Sequence, residues 1–269
     1  MKALIPAAGL GSRFLPATKA QPKEMLLVVD RPVIQYVVEE GLAAADEVVI
    51  INSRDKKSIE EHFTPNPALE AELRSRGKDK YADKVAHAGN LNVSYVYQDE
   101  PLGLGHAVHC AAEATGNEPF FVLLGDVIVP DNQMLIKMKE VSDAHDGASV
   151  IAVLPVAEDQ VDRFGVIDGV EVSEGVWKVN SLVEKPAVED APSNLAVFGR
   201  YLLTPRVMEL LADAKPGAGN EIQLTDALDA LLKEEEMYAL VIDPEDGYDT
   251  GTIESWLDTN NRLYKKLHG

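Results

Sequence analysis

An α/β fold, with a doubly wound, Rossmann-like sheet that is mixed but mainly parallel and flanked by helices, is predicted by two features of the sequence. Through the first half, short apolar runs alternate with amphipathic segments, the pattern of parallel strands buried on both faces and covered by helices. After about residue 155 the β segments shorten, and Gly, Pro and Asp fall between them, as expected of strands and hairpins added to that sheet.

Taken in order, strands are predicted at residues 2–6, 47–52, 93–97, 120–124 and 148–154, each a compact apolar run. Helices at 33–45, 105–114 and 133–145 fill the gaps. In the second half, β segments are expected at 165–168, 176–179, 182–184 and 195–203, and helices at 206–214 and 224–236. A last helix at 253–267 follows from the three- and four-residue spacing of Trp256, Leu257, Asn260, Leu263, Tyr264 and Leu267. Its apolar stripe reads as core or subunit contact. Residues 64–90, rich in charge and opened by Pro65 and Pro67, hold one possible helix at 68–76 and no strand, and are expected to be a mobile insertion. No solenoid or propeller repeat and no low-complexity tract interrupts residues 1–269, which read as one domain.

Composition excludes several functions. The chain has 269 residues, with 25 Lys+Arg against 45 Asp+Glu and a formal charge of −20. So acidic a surface repels nucleic acid. At 46% hydrophobic and 26% charged residues the protein is expected to be globular. Cys110 is the single cysteine, which rules out an intrachain disulfide and fits a reducing cytoplasm. No secretory signal and no bilayer-spanning run is expected, because charges and turn residues break every long apolar stretch.

The first strand runs into Ala7-Ala8-Gly9-Leu10-Gly11-Ser12-Arg13. Glycines there let the backbone bend and offer N–H groups to an anion, and a nucleotide phosphate is the natural guest. A dinucleotide fingerprint fails because Phe14 stands where a third glycine is needed and the second strand ends at Asn52. A Walker loop fails for lack of Gly-Lys-Ser/Thr. Positive charge replaces both: Lys2, Arg13, Lys19 and Lys23 fall between residues 1 and 23 with no acid among them. Such an island beside a bent glycine backbone can hold a triphosphate.

Residues 4–19 (LIPAAGLGSRFLPATK), followed by 22–26 (PKEML), resemble the signature of sugar-1-phosphate nucleotidyltransferases. The resemblance continues through 101–108 (PLGLGHAV), 124–126 (LGD), 184–186 (EKP), 194–201 (NLAVFGRY), 221–227 (EIQLTDA) and 248–251 (YDTG), in one order over nearly the whole chain. Within that family it is most similar to the bacterial enzymes that join UTP to glucose-1-phosphate. The resemblance implies that Arg13 and Lys23 grip the triphosphate and stabilise the transferring phosphoryl group. It implies that Lys185 holds the sugar phosphate and Glu184 the sugar hydroxyls, a division that suits an ammonium and a carboxylate. Asp126 falls at the carboxyl end of a predicted strand, where open α/β sheets bind ligands, and a carboxylate there can hold Mg²⁺. Asp249 is the second metal ligand by resemblance.

Ala8, Gly9 and Gly11 would cradle the nucleotide, Gln98 and Gly103 would read the base, and Glu24 would lie near base or ribose. Gly165, Asn194 and Val197 resemble sugar-pocket positions. Residues 1–155 would then mainly bind nucleotide, and residues 156–269 mainly bind sugar. Relatives usually carry Gly-Asp-Asp where this chain has Gly125-Asp126-Val127. That departure keeps open a non-catalytic regulator, beside a relative that uses dTTP or another sugar phosphate. His106, His109 and Cys110 share one helical face but lack a fourth metal ligand, and read as packing residues. The residues at 234–236, all Glu, read as a solvated helix end. The family further implies a homo-oligomer, dimer or tetramer.

Overall fold

The computed structural model describes residues 1–130 and 133–269. Its organising strand is β1 (Lys2–Pro6), whose Ala3, Leu4 and Ile5 are all fully buried. After it come a short ladder of β2 (Leu27–Val28) with β3 (Arg31–Pro32), then α1 (Val33–Leu42), β4 (Glu47–Asn52), α2 (Lys57–His62), α3 (Pro67–Ser75), α4 (Asp79–Gly89) and β5 (Val93–Tyr97). Next are α5 (Leu104–Cys110), α6 (Ala112–Thr115), β6 (Phe120–Leu123), β7 (Val127–Ile128), α7 (Met134–Ala144) and β8 (Ser149–Pro155). The second half contains β9 (Gly165–Ser173), β10 (Val176–Glu184), β11 (Leu195–Leu203), α8 (Arg206–Ala212), α9 (Leu224–Leu231), β12 (Met237–Val241), β13 (Tyr248–Asp249) and α10 (Ile253–His268).

The main sheet has the order β5-β4-β1-β6-β11-β8-β12-β10-β9. β5, β4, β1 and β6 are mutually parallel, and β8 and β12 are parallel to each other. β11 runs antiparallel to β6 and β8, which lets it join the two parallel blocks. Alternation along each strand feeds two separate cores. Ala3, Ile5, Val48 and Ile50 pack with α1 and α7 residues Ile34, Val37, Leu135 and Met138. Leu4, Val49 and Ile51 pack with Val108, Val207, Leu211 and Leu228 on the other face. Burial on both faces is why these strands are apolar at every position rather than every second one.

Two consequences of this topology place the site. The four parallel strands end on one edge of the sheet, so the segments after β1, β4, β5 and β6 meet there. The β9–β10 hairpin carries register irregularities at Val176/Trp177 and Val179/Ser181, and it folds over the sheet until Val166 pairs with Ala196 of β11. That fold sets Gly165 and Glu184, paired across the hairpin, beside Val197.

Several expectations are corrected. The segment expected to be a mobile insertion forms a packed helical hairpin: α3 and α4 are tied by Arg74–Asp83 (2.7 Å) and fastened to the body by Lys84–Asp30 and His87–Glu39, both 2.9 Å. Its second helix is hard to see in the sequence because its inward residues are mostly alanines, Ala82 and Ala88, among charges. The helix expected at 105–114 breaks at Ala111 into α5 and α6. The helix expected at 224–236 stops at Leu231, and β12 begins at Met237, between β8 and β10. The three glutamates before β12 do lie past the helix; Glu234 pairs with Arg206 at 2.7 Å and Glu235 accepts from Thr204 at 2.7 Å. The segments 176–179 and 182–184 are one strand. Of the terminal stripe, Leu263 is buried, whereas Leu257, Tyr264 and Leu267 are exposed.

Candidate active site

β1 stops at Pro6, and the chain turns along the sheet edge with the Ala7 N–H still donating to Ile51 O at 2.8 Å. A Cβ built at Gly9 would meet nothing within 4 Å, so the space over it is open. Gly11 has φ +63°, and Thr18 Oγ1 donates to its carbonyl at 2.7 Å, which holds the bend. A single 3₁₀ turn, Ser12–Phe14, follows, with Phe14 buried as an anchor and Arg13 exposed. The loop forms one wall of a cleft of about 510 Å³ whose lining includes Ala8, Gly9, Gly11, Lys23, Gln98, Gly103 and Asp126. An adjoining cleft of about 690 Å³ on the other side of the loop is lined by Thr18, Lys19, Arg54 and Lys56 among others.

Asp126 lies just past the end of β6. Lys23 Nζ donates to its Oδ2 at 2.6 Å. Burial penalises both charges, but Lys23 and Arg13 outweigh it at Asp126 and hold that carboxyl below its ordinary range. Burial likewise opposes the Lys23 charge, and Asp126 and Glu24 overcome it and push the ammonium up. The β7–β13 ladder pairs Val127 with Asp249, and Thr250 donates to Asp126 O from both its N–H (2.8 Å) and its hydroxyl (2.7 Å). A Cβ at Gly251 would stand 3.1 Å from Asp249 Oδ1, 3.6 Å from Asp126 Oδ2 and 3.7 Å from Arg13 Nη1. Arg13, Asp126 and Asp249 therefore converge around one glycine, with Lys23 on Asp126. Among the described residues no group of three or more His, Cys, Asp or Glu side chains is arranged to hold a metal. The two convergent carboxylates are an oxygen pair of the kind a hard cation takes, with room for non-protein ligands.

A second cluster forms where β9 begins and β10 ends. Glu184 Oε2 accepts from Thr225 Oγ1 at 2.7 Å, and a Cβ at Gly165 would lie 3.2 Å from the same oxygen and 3.6 Å from Val197. Lys185 Nζ is 3.0 Å from Glu184 Oε1, on a side chain 58% exposed. Lys185 has φ +46° and its N–H donates to Phe164 O, so the chain turns sharply at the end of β10. Tyr201 lies in the field of both clusters. Burial, then the Glu184 carboxylate and also Asp126, push its phenol up against the effect of Arg200, and it stays protonated.

On the opposite wall, Gln98 follows β5 and is buried. Its Nε2 donates to Gly103 O (3.1 Å) and to His106 Nδ1 (2.9 Å). Gly103 needs its glycine for an intramolecular reason: its φ is +112° and a Cβ would strike Ile222 O at 2.6 Å.

Three of the expected residues have contacts that the sequence does not show. Lys2 sits at the far end of β1, paired with Glu47 at 3.0 Å, and is not part of the positive island. Glu24 reaches the cleft wall but is 1% exposed, and its carboxylate is taken by Lys56 at 3.0 Å. Asn194 is exposed and donates to Val156 O at 3.2 Å, a backbone contact outside the Glu184 cluster. Lys56, whose Nζ also donates to Ala7 O at 2.5 Å, goes unnoticed in the sequence because Arg54-Asp55-Lys56-Lys57 reads as solvated charge. Arg200 goes unnoticed as well, although an arginine inside an apolar strand signals a buried partner. Arg200 is wholly buried, bidentate to Glu40 at 2.8 and 2.7 Å, and donates to Val127 O at 2.8 Å and Leu124 O at 3.4 Å, carbonyls on either side of Asp126. Tyr201 and Thr225 lie within recognised blocks, and only their contacts in the fold give them a place in the site.

Comparison with known proteins bears on the family and the fold. The family model described as nucleotidyl transferase matches residues 2–266. A UTP–glucose-1-phosphate uridylyltransferase of Staphylococcus haemolyticus is 48% identical over 252 residues, 93% of this chain and 87% of that protein. The crystal structure of a UDP-glucose pyrophosphorylase complexed with UDP-glucose superposes with a TM-score of 0.88 at 40% identity, covering 98% of both chains. A UTP-bound UGPase from Acinetobacter baumannii gives 0.89 at 37% identity, covering all of this chain and 94% of that one.

Proposed function

We infer the function from one premise: the chain belongs to the nucleotidyl transferase family. It transfers the uridylyl group of UTP to glucose-1-phosphate, forming UDP-glucose and pyrophosphate. The observation that carries the assignment of the site is the meeting of Arg13, Lys23, Asp126 and Asp249 beside the cleft that Lys23 and Asp126 line, with Tyr201 feeling the charge of both Asp126 and Glu184.

The reaction joins two polyanions, so catalysis rests on alignment and charge neutralisation rather than on a protein nucleophile. The α-phosphorus of UTP lies over the Gly9–Gly11 bend, where the backbone leaves room, and Arg13 and Lys23 offset the charge that accumulates as the sugar-phosphate oxygen attacks and pyrophosphate departs. Lys23 leaves Asp126 to do so. Asp126 and Asp249 would hold Mg²⁺, which would supply positive charge to neutralise the reacting phosphates. Lys185, on a long and exposed side chain, reaches the phosphate of glucose-1-phosphate. Glu184, steadied by Thr225, accepts from sugar hydroxyls in the space kept open by Gly165 and Val197. Gln98 and Gly103 read the uracil edge, Ala8 packs beside the nucleotide, and Glu24 acts indirectly by holding Lys56 under the loop. Asn194 shapes the sugar side through the backbone it ties. The first half of the chain, residues 1–155, thus mainly serves the nucleotide and residues 156–269 mainly the sugar, with Asp249 returning to the first.

No helix among the described residues is long and apolar enough to cross a membrane. We place the protein in the cytoplasm, with its lone thiol, and as a homo-oligomer whose second copy covers exposed Leu257, Tyr264 and Leu267 of α10.

The test is pyrophosphate release across panels of nucleotides and sugar phosphates, with and without Mg²⁺. Turnover should be greatest with UTP and glucose-1-phosphate and should fall sharply in Asp126→Ala and Lys185→Ala. A preference for dTTP overturns the substrate assignment, and unchanged rates in both variants overturn the site.

A further inference from the structure

We propose that His106 gives the nucleotide site its preference for a base with a hydrogen on ring nitrogen N3, by fixing which end of the Gln98 amide faces the cleft. The proposal rests on the reading of Gln98 as the residue that meets the base.

A carboxamide presents nearly the same shape whichever way it is turned, but its two ends are opposite in hydrogen bonding: the nitrogen donates twice, and the oxygen only accepts. In Gln98 both hydrogens are spent inside the protein, on Gly103 O at 3.1 Å and His106 Nδ1 at 2.9 Å. Oε1 has no hydrogen-bond partner among the described residues, and Gln98 lines the cleft over the glycine loop. What faces a bound base is therefore an acceptor. Uracil has a donor, N3–H, on its pairing edge and satisfies that oxygen. Cytosine has a lone pair at N3 and opposes it, leaving two acceptors in contact.

The orientation is held fully only while both inner partners accept, and loss of either loosens it. The Gly103 carbonyl does so by necessity, and it cannot turn away, because Ile222 N–H donates to Leu102 O at 2.7 Å and Gly105 N–H donates to Ile222 O at 2.8 Å. His106 accepts at Nδ1 only as the tautomer with its hydrogen on Nε2. The neighbour of Nε2 is Cys110 Sγ, one helical turn on at 3.9 Å, a weak acceptor suited to that hydrogen. Burial pushes the Cys110 thiol up, so it remains a neutral thiol beside the ring. Cys110, His106 and Gln98 thus form a line from helix α5 to the base, in which His106 is a positioning residue. The histidine and cysteine that suggest a metal site in the sequence have this arrangement instead.

The experiment compares kcat/KM for UTP, CTP and 5-methyl-UTP, all ribonucleotides, in the wild type and in His106→Leu, His106→Asn and Gln98→Ala. Loss of one of the two inner acceptors should lower the UTP:CTP preference of His106→Leu on the order of tenfold. Its UTP:5-methyl-UTP ratio should not move, because both bases carry N3–H. His106→Asn, which can offer an oxygen near the place of Nδ1, should keep most of the preference. An equal loss on all three nucleotides in His106→Leu overturns the proposal, since a purely structural role predicts that result. If Gln98→Ala itself leaves the UTP:CTP preference at the wild-type value, the reading of Gln98 fails. If Gln98→Ala abolishes the preference while His106→Leu does not, the proposal alone fails. Should His106→Leu not fold, His106→Phe, which keeps a ring without either nitrogen, is read in the same way.

Discussion

Lys23 and Asp126 illustrate how single residues divide between folding and chemistry. Their 2.6 Å contact joins a loop after β1 to the loop after β6 on a site that is three-quarters covered. Lys23→Met should lower kcat about 100-fold or more, the scale of losing one well-placed charge at a reacting phosphoryl group, and should also lower the thermal midpoint, because Asp126 loses its ammonium partner. A lowered midpoint with kcat unchanged would make Lys23 a structural residue only. The pair also sets a pH window. Asp126 titrates below its ordinary value of about 3.9, so its contribution is complete above that value and is lost as pH falls through the depressed one. Lys23 titrates above its ordinary value, so its share is complete below about 10.4 and is lost only as pH rises through the raised one. Urea melts should therefore show the pair intact from about pH 5 to about pH 9, and Asp126→Asn should differ from wild type by a constant amount there and converge with it in stronger acid. Arg200 is the opposite kind of residue, touching no cleft. Arg200→Met takes the guanidinium away from the buried Glu40 carboxylate and should cost about 3–5 kcal/mol in denaturant melts, whereas Glu40→Leu with Arg200→Met should recover much of that loss.

At the level of elements, the site depends on how helices and strands end. α10 begins at Thr252 with a capping box, in which Thr252 and Ser255 each accept from the other's backbone. It starts just after Gly251, where Arg13, Asp126 and Asp249 gather. Thr252→Ala should cost about 1 kcal/mol in urea melts. It should also raise the Mg²⁺ concentration needed for half-maximal rate, because Thr259 on the same helix donates to Asp249 O at 2.7 Å. At the start of β9, Gly165→Ala would put a methyl 3.2 Å from Glu184 Oε2. The expected result is a KM for glucose-1-phosphate raised about tenfold with the KM for UTP nearly unchanged, measured by initial rates. A rise in both would mean that the two clusters do not act separately.

At the scale of the whole molecule, the periodicity of the first half is readable because the inner parallel strands β1, β4 and β6 are covered by apolar neighbours on both faces, and these and the half-buried edge strand β5 fall where their apolar runs predict them. β12 is hidden because a short apolar run after three glutamates looks like the tail of a helix, and only its place between β8 and β10 makes it a strand. α4 is hidden because alanines bury little area and leave a weak pattern among charged and polar neighbours. The residues that carry chemistry are legible where the type of side chain and its position together imply a role. Gly9 and Gly11 stand at a strand end, and Arg13, Lys23, Asp126, Glu184 and Lys185 fall in recognisable blocks. The sequence by itself determined the fold class and the family, and it named most of the groups proposed to meet two phosphorylated substrates. Such information is local, since strand period, loop glycines and block motifs lie within a few consecutive residues. Only the tertiary structure decided that Lys2 stands apart, that Lys56 props the loop, that Arg200 clamps the backbone around Asp126 and that His106 holds Gln98. Those facts depend on contacts between segments up to 160 positions apart, and a charge that reads as solvated in sequence becomes buried or paired only when distant strands close around it.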